Sequence, residues 1–189
     1  MLESLMPSKQ EFISSDIANI LQKVHFAYLA GECKTLALVS ELRQEGKSTM
    51  ALLIAKGLAS IYGLKVAILD LGPDGDALLN KVIKAQSDDL DFDIHQMKHV
   101  SDDRFASAFD GYIFNRAMSR LSDKYDFVIV DTFTLNSPQD LHAFHLNADS
   151  FLMVSSPISL ERNVNLLSEE LRINGKNVLG VVLNRKEAK

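Results

Sequence analysis

One cysteine, Cys33, stands in the whole chain, so no internal disulfide can form and no paired thiolates are available to a metal; a reducing compartment is the simplest setting. Excess basic charge is also lacking. Twenty Lys and Arg face 25 Asp and Glu, a formal net charge of −5, and no long basic stripe appears. Binding a polyanion needs clustered cations, so a broad nucleic-acid footprint is excluded. No apolar run approaches the roughly 18 residues of a membrane span, and the N-terminus is polar. Neither direct membrane insertion nor a signal peptide is expected, and the reading is cytoplasmic. Repeats and linkers are missing too. What remains is an ordinary globule, 47% hydrophobic and 24% charged. Its 189 residues suit one domain able to bury about 70% of its unfolded surface.

Glycine is scarce at the place where one motif would use it most. Thr35 to Thr49, TLALVSELRQEGKST, runs from a short apolar strand through a polar loop into a helical pattern. Gly46, Lys47 and Ser48 fit the end of a phosphate loop, GxxxxGK[ST]. In such a loop backbone amides cradle phosphate, Lys reaches the β/γ phosphates and the hydroxyl ligates Mg²⁺. The first glycine of that pattern is Glu41 here, so Leu42, Arg43, Gln44 and Glu45 must form the turn with side chains, and Glu45 adds negative charge beside the phosphate. Read without its surroundings, the stretch also fits a strand, a turn and a helix start with Lys47 and Ser48 on the surface, but the phosphate loop is the stronger reading.

The surroundings repeat a theme. Glu11 to Ala30 has apolar residues at three- and four-residue spacing, one face of a helix capped by Ser14 or Ser15. Helix Lys47 to Tyr62 stops at Gly63. Strand Leu64 to Leu71 then delivers Asp70 at its C-terminal end, where open α/β sheets bind ligands; the following Gly-Pro-Asp-Gly also suits Asp70 to a turn role. A short helix over Asp76 to Ala85 precedes acidic sequence holding one strand near Phe92 to Met97. His95, His99, Asp88, Asp89, Asp91 and Asp93 lack a recognised ligand spacing, so this stretch reads as a solvated loop. After a helix over Phe105 to Leu121, Tyr125 to Asp131, YDFVIVD, is again an apolar strand ending in Asp, the form of a Walker B carboxylate that holds Mg²⁺. A helix beginning near Ser137-Pro138 carries His142 and His145, which without a third ligand read as surface or packing residues. Strand Ser150 to Ser155, helix Leu160 to Ile173 and strand Asn177 to Leu183 complete an alternation that predicts a doubly wound, mainly parallel α/β sheet with helices on both faces. Residues 1–34 form an N-terminal segment and helix; residues 35–185 form the core.

Together GKST, VAILDL, YDFVIVDT and INGKNVLGVVLNR resemble the MinD/ParA-like P-loop ATPases. More closely, they resemble the cytoplasmic domain of bacterial tyrosine kinases and their relatives in capsule and exopolysaccharide synthesis. The resemblance spans about Asp16 to Arg185. It implies a P-loop NTPase fold binding ATP or ADP with Mg²⁺. Glu45, Gly46, Lys47, Ser48 and Thr49 would lie against the phosphates, and Asn184, where relatives place an adenine-reading Asn, would contact the base with Arg185 beside it. Lys47 and Asp70 are the implied catalytic residues, and Ser48, Asp70 and Asp131 the implied metal ligands. The implied partners are a membrane polysaccharide co-polymerase or other exopolysaccharide machinery and further copies of the chain, with membrane association through the partner.

Five departures bear on activity and subfamily. The kinases' second acidic motif, DxD, is Asp70-Leu71-Gly72 here. Their ExxRxxR subunit contact falls at Ser15, Ala18 and Leu21. No tyrosine-rich tail follows Arg185. The Lys that marks ParA and MinD loops falls at Leu42, and no terminal amphipathic helix follows the last strand, which argues against a filament or positioning ATPase. Two expectations follow: an ATP-binding protein with weak or no kinase activity, or a catalytically inactive interaction module for a membrane co-polymerase.

Overall fold

Strands that are apolar on both sides need cover on both sides, and the chain supplies it. The computed structural model describes residues 15–71, 79, 82, 91–96, 111–132, 134, 148–157 and 161–184. In chain order these form α1 (Ser15–Leu29), β1 (Thr35–Val39), α2 (Lys47–Tyr62), β2 (Val66–Asp70), β3 (Phe92–Gln96), α3 (Gly111–Lys124), β4 (Phe127–Asp131), β5 (Ser150–Ser155), α4 (Glu161–Ile173) and β6 (Asn177–Leu183). The six strands make one sheet in the order β3-β2-β4-β1-β5-β6, every neighbouring pair parallel. Every residue of β1, β2, β4 and β5 is buried, whereas most of the edge strands is not.

Two-residue alternation divides the core into two layers. On one face Leu36, Leu38, Val66, Ile68, Ile129, Leu152 and Val154 pack under α1 and α2. On the other, Ala37, Val39, Ala67, Leu69, Val128, Val130 and Met153 meet Phe114 and Met118 of α3 and Leu167 and Leu171 of α4. This is the doubly wound α/β architecture. α1 lies outermost on its face. Leu21 seats its methyls where Gly57 of α2 has no Cβ, and His25 stacks on Tyr62 with ring centroids 3.7 Å apart.

Aspartates tie the N-terminal rim of the sheet. Asp149 Oδ2 accepts the N–H groups of Lys34 and Thr35, each at 2.8 Å, and the Asp149 N–H donates to Thr35 Oγ1 at 2.7 Å, locking β5 to β1. Asp126 repeats the device: its Oδ2 accepts the Lys65 N–H at 2.8 Å while its own N–H donates to the Lys65 carbonyl, locking β4 to β2. Each carboxylate satisfies backbone donors that the ladder leaves open at a strand's start.

Four elements have their sequence-predicted bounds: Thr35–Val39, Lys47–Tyr62, Ser150–Ser155 and Asn177–Leu183. The strand expected over Leu64 to Leu71 is shorter, and that expected from Tyr125 starts at Phe127, because Lys65 and Asp126 form the clamp. Gly63 closes α2 in the left-handed region (φ 69°), its N–H donating to Ala59 O. The N-terminal helix is described from Ser15 and the third from Gly111, the latter running on to Lys124 rather than stopping at Leu121. Of the helix expected over Asp76 to Ala85, Leu79 and Val82 are described, helical and fully buried; the rest, like the helix expected near Ser137, lies outside the described residues. Among the described residues no helix is long and apolar enough to cross a membrane.

Two outcomes follow from this packing. Leu21→Ala removes the side chain that joins α1 to α2 and is expected to lower unfolding free energy by about 3 kcal/mol in a denaturant titration. Burial pushes the Cys33 thiol up from 9.0 to about 11, with the Ser150 hydrogen bond opposing and Asp149 adding to the rise. The fold therefore favours the neutral thiol. Its contribution to stability is whole below about pH 9 and is lost as pH rises through about 11. Thiol alkylation at pH 8 is expected to proceed only as fast as unfolding.

Candidate functional site

In a parallel sheet all strands end at one rim, and the chemistry gathers there. β4 lies between β1 and β2, with Leu38 opposite Asp131 and Asp70 opposite Asp131 in the two ladders. Partners in register point to one face, and Ile68 and Ile129, two residues earlier on their strands, belong to the α2 side. Asp70 and Asp131 therefore both face the layer in which α2 begins.

α2 begins with the loop. Gly46 adopts φ 98°, ψ 20°, and its carbonyl accepts the Met50 N–H at 2.9 Å, the first turn of the helix. Lys47 and Ser48 are consequently the first helical residues, buried, at an N-terminus whose amides and dipole favour an anion. Ser48 Oγ donates to Asp131 Oδ2 at 2.5 Å. Lys47 Nζ donates to Ser40 Oγ at 2.6 Å, and Ser40 in turn donates to the Leu42 carbonyl. Among the described residues the buried charged side chains are Glu45, Lys47, Asp70 and Asp131, and no others. Isolated buried charge is strongly unfavourable, so four buried charges gathered at one rim, each with hydrogen-bond partners, make that rim the candidate site.

The loop folds with a single glycine. Gln44 takes φ 63°, left-handed for a non-glycine residue, a conformation costing about 1 kcal/mol. Glu45 is buried: its Oε2 accepts the Leu42 N–H and its Oε1 the Ser156 N–H just past β5, both at 2.8 Å. Asn184, just past β6, donates Nδ2 to the Glu45 carbonyl at 2.8 Å, and a Cβ on Gly46 would overlap that amide.

The structure thus brings together Glu45, Gly46, Lys47, Ser48, Asp131 and Asn184. Asp70 stands level with Asp131, where Gln96 Nε2 approaches its Oδ2 at 3.4 Å. Thr49 is exposed, and Arg185 lies outside the described residues. Ser40, Gln96 and Ser156 take part without having been singled out in the sequence. Ser40, the residue after β1, was the most readable of them. The acidic stretch after β2 is otherwise occupied: Asp91 accepts from Ser60 Oγ, while Asp93 accepts from Tyr125 Oη, which also meets His95 Nε2 and Lys124 Nζ. Burial and the Asp93 contact push the Tyr125 hydroxyl up, and its hydrogen bond raises Lys124. No group of three His, Cys, Asp or Glu among the described residues could hold a metal. His99, Asp88, Asp89, His142 and His145 lie outside them.

The nucleotide-binding domain family of CobQ, CobB, MinD and ParA matches residues 44–189, more than half of the chain. The chain belongs to that family. Its fold is also that of bacterial tyrosine kinase domains. The kinase domain of Escherichia coli tyrosine kinase ETK aligns with a TM-score of 0.66 at 20% identity, covering 87% of this chain and 73% of that one. The tyrosine kinase domain of BceF aligns with a TM-score of 0.76 at 18% identity, covering 97% and 81%. Within the wider family, cobyrinic acid a,c-diamide synthase from Mycobacterium smegmatis, solved with bound ADP and magnesium, aligns at 0.53 and 18%, covering 79% and 73%. No protein of curated function matches the sequence. The match to the family begins within the loop, and this MinD/ParA-family domain has the GKS end of the motif with Glu41 at the position of its first glycine.

Substitution at Gly46 probes the loop directly. Gly46→Ala forces a Cβ into Asn184 and an L residue into φ 98°, and is expected to cost about 2 kcal/mol in thermal unfolding while leaving the core spectrum unchanged.

Proposed function

We propose that this MinD/ParA-family domain binds ATP or ADP together with Mg²⁺ at the rim between α2, β2 and β4, with weak or no kinase activity, and works in exopolysaccharide synthesis beside a membrane co-polymerase. One observation carries the nucleotide reading: Ser48 Oγ and Asp131 Oδ2 meet at 2.5 Å at the mouth of a helix N-terminus that also presents Lys47. The residues fit the ligand. Hydroxyl and carboxylate oxygens suit a hard divalent cation, and the amides at the start of α2 suit phosphate oxygens. Ser48 and Asp131, with Asp70 level beside them, would hold Mg²⁺, which when bound would neutralise phosphate charge.

The chain's own residues would do the rest. Lys47 would turn its ammonium from Ser40 to the β/γ phosphates, and the amides at the start of α2 would bind phosphate oxygens through aligned dipoles. Asp70 would orient an attacking hydroxyl or water and accept its proton. Asn184 and Arg185 would lie nearest the base. Support for ATP over other anions comes from the resemblance to tyrosine kinases and from the ADP and magnesium held by the cobyrinic acid synthase.

The second reading, an inactive module for a co-polymerase, is favoured by one feature. In Asp70-Leu71-Gly72 the residue after Asp70 is fully buried, its N–H donating to the Asp131 carbonyl at 2.9 Å, and Gly72 stands where the kinases have their second carboxylate. A lost catalytic carboxylate can cost on the order of a thousandfold in rate while binding persists.

Calorimetric titration with ATP and ADP, with and without Mg²⁺, separates the two. Wild type is expected to bind both more tightly with Mg²⁺, and Lys47→Ala to raise Kd roughly 10- to 100-fold. Turnover near background with intact binding supports the weak or inactive enzyme, whereas no wild-type affinity would overturn the nucleotide reading.

A further inference from the structure

A phosphate loop is usually shaped by glycine, and this one has Gly46 alone, so something else must fix where its amides point. The residue before Gly46 is held from three directions. Glu45 Oε2 accepts the Leu42 N–H, tying the loop's end to its beginning, and Oε1 accepts the Ser156 N–H, tying it to the exit of β5. Its carbonyl accepts Asn184 Nδ2, tying it to the exit of β6, and the Asn184 N–H donates to Ser155 O at 2.7 Å, which fixes that exit to β5. The peptide between Glu45 and Gly46, whose N–H lies in the loop, is thus anchored through Glu45's own carboxylate, which takes the Ser156 N–H, and through the Asn184 amide, partners 111 and 139 residues away.

We propose that Glu45 and Asn184 are positioning residues that brace the anion-binding loop, replacing loop glycines by side-chain ties; the proposal rests on the nucleotide reading above. Loop amides that are pre-aimed bind an anion without an ordering cost at the moment of binding, which is how preorganisation raises affinity. Asn184 therefore acts on the phosphates through the loop, whatever it does at the base. Glu45 does so although its charge opposes the ligand.

That opposition makes the test one of sign. Glu45→Gln removes a negative charge beside an anion site, so charge alone would tighten phosphate binding. In the brace it turns an NH₂ toward the Leu42 or the Ser156 N–H, so binding weakens. Tripolyphosphate carries no base, so any effect of Asn184→Ala on it travels through the loop. Wild type and both variants are titrated with tripolyphosphate and with ATP at fixed salt and Mg²⁺, with thermal unfolding measured on the same samples. Each variant is expected to lose about tenfold in affinity for tripolyphosphate, about 1.4 kcal/mol; Glu45→Gln loses as much for ATP, and Asn184→Ala at least as much, since its place near the base is lost too. Unchanged or tighter tripolyphosphate binding by Glu45→Gln would overturn the brace, as would an Asn184→Ala variant that loses ATP but keeps tripolyphosphate. So would a wild type that binds ATP and not tripolyphosphate, since a pre-shaped cradle takes the base-free chain. If Glu45→Gln does not fold, Asn184→Ala decides by the same comparison. A wild type that binds neither ligand overturns the nucleotide reading and the brace with it, an outcome distinct from equal binding by all three proteins, which removes the brace alone.

Discussion

Parallel hydrogen bonding of β4 to both β1 and β2 is the constraint from which the site follows. It ends three buried strands at one rim, sets Asp131 level with Asp70, and aims both at the layer that α2 enters. Everything else at the rim is attached to this frame. The turn after β1 places Lys47 and Ser48, and the Ser48 to Asp131 hydrogen bond joins the start of a helix to the end of a strand 83 residues later. A carboxylate at such a depth is tolerable because a hydroxyl at a helix N-terminus donates to it. The layers beneath are ordinary apolar packing, and they give the rim its rigidity.

Within that frame the loop solves an unusual local problem. Glycine would let the turn bend without ties, but here Gln44 sits in the left-handed region and Glu45 is buried among backbone donors. The conformational freedom that glycine would leave to the unfolded chain is exchanged for contacts with β5 and β6. One consequence is that the exits of β5 and β6, which carry none of the acidic motifs, hold the end of this turn.

Much of the fold was readable because its signals are local. VAILD and FVIVD are apolar runs closed by a carboxylate, GKST opens α2 a short turn after β1, and α2 ends at a glycine; each feature is contained in a few residues. Strand starts were less readable. Tyr125 and Lys65 belong to apolar windows, but the pairing of Asp126 with Lys65 across 61 residues takes both starts out of the ladder. The loop's side-chain ties were out of reach for the same reason. Nothing in ELRQEG indicates that Glu45 meets Ser156, and Asn184 could be placed only by its resemblance to a base-reading position, which is silent about the Glu45 carbonyl. His95 and Asp93, in a stretch that reads as a solvated loop, lie on β3 and meet Tyr125 just before β4.

Two aspartates frame β4, Asp126 just before its first residue and Asp131 as its last, and they are related as zero mark and pointer on a ruler. Asp126 fastens the strand to β2 at one rim; five residues later, roughly 16 Å along, Asp131 emerges at the other, opposite the fifth residue of β2. With the zero mark fixed, one residue inserted in either strand would swing its terminal carboxylate through the sheet into the α3 and α4 layer. The spacing between the two acids is therefore as much a part of the site as the acids themselves.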